Sequence, residues 1–186
     1  MKNLVKLFLV FVLALSVTLP LSNSTEAAKQ TSYLMNTKKM YTYKQGAASD
    51  KTATSYTLEF WKKENGYNHW STIPEDSVLE GFGFGEHETK DGLYLNDEKI
   101  LAYPVKKGKS WKSGGYTYEI RAVNWTLTTP AGTFKNVVEV RETLKGVGYR
   151  TFFYAPGVGS ILETSKNKHT KGKTITDLTL VKLKNK

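Results

Sequence analysis

Turn-forming residues punctuate this chain at short intervals, and that limits its fold more than any other feature. Asn65-Gly66, Asp91-Gly92, Asn96-Asp97, Thr129-Pro130-Ala131-Gly132, Gly146-Val147-Gly148 and Pro156-Gly157-Val158-Gly159 each interrupt runs rich in Tyr, Thr, Val, Phe and Trp. Asn-Gly and Asp-Gly reach the positive φ angles of a tight hairpin, and proline presets φ for a first turn position. Parallel strands need crossovers of a dozen residues or more, and these connections are too short for that.

The expected strands follow from the same spacing. They cover Lys39–Lys44, Thr54–Lys62, Tyr67–Ile73, Glu86–Lys90, Leu93–Leu95, Lys99–Val105, Tyr116–Thr128, Phe134–Leu144, Tyr149–Ala155, Ser160–Lys166 and Thr174–Leu183. Tyr116, Tyr118, Ile120 and Ala122 share one face, with Thr117, Glu119 and Arg121 on the other, as in a half-buried antiparallel strand. The phase shifts near Asn124, which predicts a bulge there. Thr129–Gly132 predicts a bulged three-residue loop with Gly132 left-handed. One short helix is expected after the Thr72-Ile73-Pro74-Glu75 capping box, ending at Gly81. The fold class is therefore all-β: a single antiparallel meander with at most one short helix. So long a sheet must curve strongly to bury one face, as a half-barrel, barrel or sandwich.

The N-terminus has a different character. Lys2 and Lys6 precede the apolar run Leu7–Leu19, then Pro20 and a polar stretch with small residues at Thr25 and Ala27. This is the layout of a secretory signal peptide, expected at residues 1–27, with residues 28–186 forming one β domain. The apolar run is short for a membrane span, which takes about 20 residues. Cleavage would remove two lysines and one glutamate from a chain of net charge +10, leaving +9 over 159 residues. No transmembrane segment is expected beyond the signal. There is no cysteine, so disulfides and a lipidated N-terminal cysteine are both excluded. The expected location is secreted, extracellular or associated with the cell wall. A basic exported protein concentrates near anionic polymers. The expected partner is an anionic cell-wall polymer or a surface protein, ahead of nucleic acid.

Each candidate site has a plainer reading beside it. Ala155-Pro156-Gly157-Val158-Gly159 looks like a phosphate loop, but no lysine follows Gly159 and the continuation is strand-like, so a turn is the better reading. Gly81-Phe82-Gly83-Phe84-Gly85 lacks the context of a dinucleotide fingerprint. Its glycines suit close backbone packing, while Phe82 and Phe84 on one face could meet a flat apolar ligand. Glu86 and Glu88 share a strand face with His87 turned away, so the three cannot converge on a metal, and the acidic pair reads as solubilising edge residues. No metal site, cofactor or catalytic constellation is indicated. Basic–aromatic surface is the stronger signal: Lys106, Lys107, Lys109 and Lys112 surround Trp111, and Lys166, Lys168, Lys171 and Lys173 accompany His169. Tryptophan could stack on a sugar while lysines neutralise charge; alternatively the lysines are solvated and Trp111 plugs the sheet.

Three segments occur in order: Tyr103–Trp111 (YPVKKGKSW), Thr129–Val137 (TPAGTFKNV) and Phe153–Gly159 (FYAPGVG). Together they resemble a group of bacterial exported proteins and lipoproteins of unknown function, over roughly residues 100–165. The resemblance implies an antiparallel β fold, like the curved sheets of bacterial lipoprotein carriers, and transfers no catalytic residue or ligand. The functional expectation is a secreted, non-catalytic surface or wall protein that binds an anionic polymer or partner. The alternatives are a carrier of an apolar ligand in a half-barrel cavity and a secreted wall-polymer hydrolase.

Overall fold

The computed structural model describes residues 30–73 and 82–186. Among these residues there is no helix and there are twelve strands, all antiparallel. They are β1 (Lys39–Gln45), β2 (Ser55–Glu64), β3 (Tyr67–Thr72), β4 (Gly83–Thr89), β5 (Gly92–Leu95) and β6 (Glu98–Ala102) in the first half. The second half holds β7 (Ser110–Ser113), β8 (Tyr116–Thr129), β9 (Gly132–Leu144), β10 (Gly148–Ala155), β11 (Gly159–Asn167) and β12 (Ile175–Asn185). The strand order is β6-β5-β4-β3-β2-β1-β12-β11-β10-β9-β8-β7, so consecutive strands pair except β6 with β7, and β1 pairs with β12. The expected helix at residues 74–80 lies outside the described residues.

The strand with no counterpart among those expected is Ser110–Ser113, where a loop was read. Its Trp111 pairs with Tyr118, and an edge strand this short gives little periodicity to detect. The turn chemistry otherwise matches expectation. Asn65 (φ 50°) and Gly66 (φ 85°) make the tight β2–β3 hairpin, and the register of β8 on β9 breaks between Ala122 and Trp125, around Asn124 at φ 61°. The β8–β9 loop is tighter than the expected three-residue bulge: Thr129 pairs directly with Gly132, leaving Pro130-Ala131 as the turn.

The sheet curls into a nearly closed barrel. Its two edges, β6 and β7, are consecutive in the chain and face each other without a backbone ladder. Side chains close this seam instead. Lys99 N donates to Ser113 Oγ (2.8 Å), Trp111 Nε1 donates to Lys99 O (2.7 Å), and Tyr118 OH donates to Glu98 Oε1 (2.7 Å). Covering exposed edges in this way removes a template for pairing with other chains.

The interior is packed in two clusters. One gathers Tyr41, Leu58, Trp70, Ile161 and Leu180; the other gathers Leu93, Leu101, Tyr118, Ile120, Val138 and Val140. Each fully buried aliphatic side chain here stabilises by roughly 1.5–3 kcal/mol relative to exposure. Trp70 meets Tyr41 and Phe60 edge-on, with ring centroids 5.4 and 5.9 Å apart.

The segment before β1 crosses the end of the barrel at which β1 begins. Ser32 O accepts from Gly157 N (2.9 Å) in the β10–β11 turn, while Tyr33 N and Met35 N donate to Glu88 Oε1 (3.0 Å) and Glu86 Oε1 (2.9 Å) of β4. Tyr33 and Met35 are buried, one in each core cluster. Gly159 makes room for this strap: a Cβ there would lie 2.7 Å from Met35 Cγ, at a φ of +83° that favours glycine in any case.

Candidate functional site

The barrel encloses a cavity of about 340 Å³. Apolar side chains make most of its wall, among them Leu58, Phe84, Ile100, Phe152 and Leu178, and Met35 of the strap lines it as well. Phe82 and Phe84 are both in the wall, their rings 6.3 Å apart. Gly83 between them approaches the neighbouring backbone: a Cβ there would meet Trp70 O at 2.7 Å. Phe82 itself is 45% exposed.

Charged groups share this wall. Glu86, Glu98, Glu142 and Glu163 line the cavity, against a single cation, Arg150. Glu142 is buried and takes both arms of Arg150, Nε to Oε1 at 2.9 Å and Nη2 to Oε2 at 3.1 Å. Such bidentate pairing is the stronger form of the arginine–carboxylate contact. Tyr118 OH reaches both Glu98 Oε1 (2.7 Å) and Glu142 Oε2 (2.9 Å), with one hydroxyl hydrogen to serve the two. Glu86 is 3% exposed and accepts from Met35 N and Trp70 Nε1 (3.0 Å). Burial pushes its carboxyl up to about 8, against the hydrogen bonds that favour the anion. This corrects the reading of Glu86 as a solubilising edge residue: β4 lies inside the sheet between β3 and β5, and its Phe84–Glu86 face points inward.

Glu163 differs from the others in having few partners. Among the described residues its one hydrogen-bonding neighbour is Ser160 Oγ, at 3.3 Å. Burial raises its carboxyl to about 7, with Arg150 acting in the opposite direction and Asp177 and Glu142 adding to the rise. The phenols of Tyr43, Tyr56 and Tyr154 lie close enough to feel its charge. A shallower hollow of about 440 Å³ adjoins, sharing Glu142, Arg150 and Glu163 and adding Tyr116, Ser165 and Asp177. Asp177 Oδ1 accepts from Ser165 Oγ at 3.0 Å, while its Oδ2 is buried with no partner.

The two lysine groups singled out from sequence are not brought together. Lys106, Lys107 and Lys109 lie in the β6–β7 connection, at the barrel end where β1 begins, and Lys112 is in β7. Lys166 is next to last in β11, and Lys168, Lys171 and Lys173 lie in the β11–β12 connection at the opposite end. Lys109 Nζ donates to Tyr103 O, and the surrounding loop is held on β8 by Gly108 N to Ile120 O (2.8 Å) and Ile120 N to Lys109 O (2.9 Å). Trp111 stacks on Tyr118 at 5.3 Å and spends its N–H on the seam.

Sequence reasoning missed the interior carboxylates as a set. Glu142 was accessible to it, since Val138, Val140 and Glu142 alternate on one face of β9. Glu163 was not. The register of β10 on β11 slips between Phe153 and Tyr154, which pair with Leu162 and Ser160 and leave Ile161 unpaired. Ser160 and Glu163, three residues apart, thereby both reach the cavity.

Fold and site define a class: an antiparallel meander barrel, closed through β1 and β12, around a mixed apolar and acidic cavity. No protein-family model matches the chain, and no curated protein sequence matches it. Among solved structures, the chain is similar to a protein of Bacteroides fragilis, provisionally named an exported protein with YmcC-like fold. That match has a TM-score of 0.54 at 14% identity and covers 83% of this chain and 100% of the other. At this identity the likeness shows a shared fold. A protein of Parabacteroides distasonis, provisionally named a lipoprotein, matches at TM-score 0.48 and 13% identity, covering 83% of this chain and 99% of its own, too low to rest anything on.

Proposed function

We propose that this is an exported, non-catalytic carrier that holds a ligand with an apolar body inside the barrel. The observation that carries the reading is the cavity of about 340 Å³, lined largely by apolar side chains and bordered by members of both core clusters. Small-ligand pockets have this size and this mixture of apolar wall and few polar groups. The export part rests on the leader at residues 1–27 and on the fold shared with a protein provisionally named as exported.

At about 30 Å³ for each water-sized group, the cavity holds roughly eleven such groups, which is the size of decanol. Titration calorimetry of the purified protein with decanol should show one saturable site. Ile100→Trp, which narrows the cavity, should weaken binding several-fold while leaving the thermal transition in place. Decanol that fails to bind, or binds equally to this variant, refutes the carrier.

The charge supports a second, compatible reading: the exposed lysines of the β11–β12 loop favour retention at an anionic wall polymer. Co-sedimentation with purified cell wall should be strong at low salt and lost at high salt. No sedimentation at low salt refutes it.

A further inference from the structure

We propose that the cavity selects ligands with a cationic head, and that Glu163 is the counter-ion; this rests on the carrier reading above. The interior presents four carboxylates and one cation, and that cation is already committed. Arg150 gives two hydrogen bonds to Glu142. Glu86 accepts from Met35 N and Trp70 Nε1, and Glu98 shares the Tyr118 hydroxyl with Glu142. Glu163 is left with one long hydrogen bond from Ser160 Oγ and, among the described residues, no ion pair. Glu163 is half-buried, and a desolvated carboxylate without a cation is costly; proteins resolve this by pairing or by protonation. Here the surrounding wall leaves space for a ligand to supply the cation.

The neighbours of Glu163 suit an ammonium group. Tyr43 and Tyr56 stand beside each other in the cavity wall with ring centroids 5.8 Å apart, and aromatic faces attract cations. Tyr43 OH is occupied, donating to Ser160 O at 2.8 Å, so it does not compete for Glu163. Leu58, Phe84 and Leu178 of the same wall suit an alkyl chain, while the other charged groups of the wall are already hydrogen-bonded. An anionic head would instead meet carboxylates from β4, β6, β9 and β11 with no free cation to receive it. The ligand class is therefore an alkylamine or a comparable amphiphile with one protonated nitrogen.

The pH behaviour of the site follows. The groups facing Glu163 are Arg150 and Tyr154 of β10, Glu142 of β9, Asp177 of β12, Tyr43 of β1, Tyr56 of β2 and its own-strand Ser160. With its carboxyl near 7, Glu163 is ionised at pH 8 and protonated at pH 5. A cation binds the ionised form, so its affinity should fall below pH 7, while that of a neutral analogue should not.

The test compares decylamine, decanol and decanoate, below their aggregation concentrations, by titration calorimetry of the purified protein. Decylamine should bind at least tenfold tighter than decanol at pH 8, and decanoate more weakly than either. Glu163→Gln should reduce the decylamine preference to within about twofold while preserving decanol affinity. Should that variant fold poorly, Glu86→Gln, which removes the other raised carboxyl of the cavity, carries the test: its amine-to-alcohol affinity ratio should shrink several-fold from pH 8 to pH 5. Decanol binding with no preference for decylamine, a preference that survives Glu163→Gln, or a ratio independent of pH overturns this inference and leaves the carrier standing. Failure of all three compounds to bind refutes the carrier and this inference with it.

Discussion

Glu86 offers the sharpest test of how the barrel interior is built. Its carboxyl is buried, accepts from Met35 N and Trp70 Nε1, and is pushed up to about 8 from an ordinary value of 4.5, chiefly by desolvation, with the charge of Glu88 adding to the rise. A carboxyl raised on folding favours the protonated native state. Below pH 4.5 both states are protonated and the group costs nothing. As pH climbs toward 8 the unfolded chain gains ionisation that the native state resists, and stability falls. A tenfold difference in proton affinity between the two states is worth about 1.4 kcal/mol, so this one residue should remove on the order of 3–4 kcal/mol between pH 5 and pH 8. Glu86→Gln keeps the shape and one acceptor oxygen but cannot ionise. At pH 8 the variant should be more stable than wild type, by about 1–3 kcal/mol once the weaker neutral hydrogen bonds are deducted. Near pH 5 it should be equal or slightly less stable. Urea unfolding at pH 5, 6, 7 and 8 measures this directly, read as the difference between the two pH profiles. Parallel profiles for the two proteins would falsify the assignment of Glu86 as a buried, proton-retaining group.

Two further outcomes follow from the geometry. Gly159→Ala combines a positive φ with a Cβ 2.7 Å from Met35 Cγ, and should cost about 1–3 kcal/mol by thermal or urea unfolding; adding Met35→Ala should not return the φ component, so full rescue by the double variant would contradict this account. Trp111→Phe removes the hydrogen bond to Lys99 O while keeping a ring on Tyr118, and should cost about 1 kcal/mol. Hydrogen exchange should then speed up at the amides of β6 and β7 and stay unchanged in β1 and β12; uniform acceleration would mean the seam is not an independent closure.

Local chemistry made much of the architecture legible in advance. Asn65-Gly66 and Pro156-Gly157 set hairpins because few other residues take the required φ, and these act over four residues wherever the chain goes. The phase break at Asn124 and the inward line of Val138, Val140 and Glu142 were likewise present in the pattern of residues. The short β7 was not, because four residues on an edge carry too little alternation.

What the amino-acid sequence determined by itself is therefore a meander: which segments are strands, where they turn, and that successive strands pair antiparallel. Tertiary structure decided how the meander closes. Pairing of β1 with β12 joins residues over a hundred positions apart, and it depends on accumulated curvature that no local signal states. It also decided what faces inward. A single unpaired Ile161 shifts the parity of β11 and puts Glu163 in the cavity, because side chains alternate with period two and one extra residue reverses every face beyond it. The raised carboxyls of Glu86 and Glu163 follow from that placement, since desolvation is a property of the closed barrel and of no segment within it.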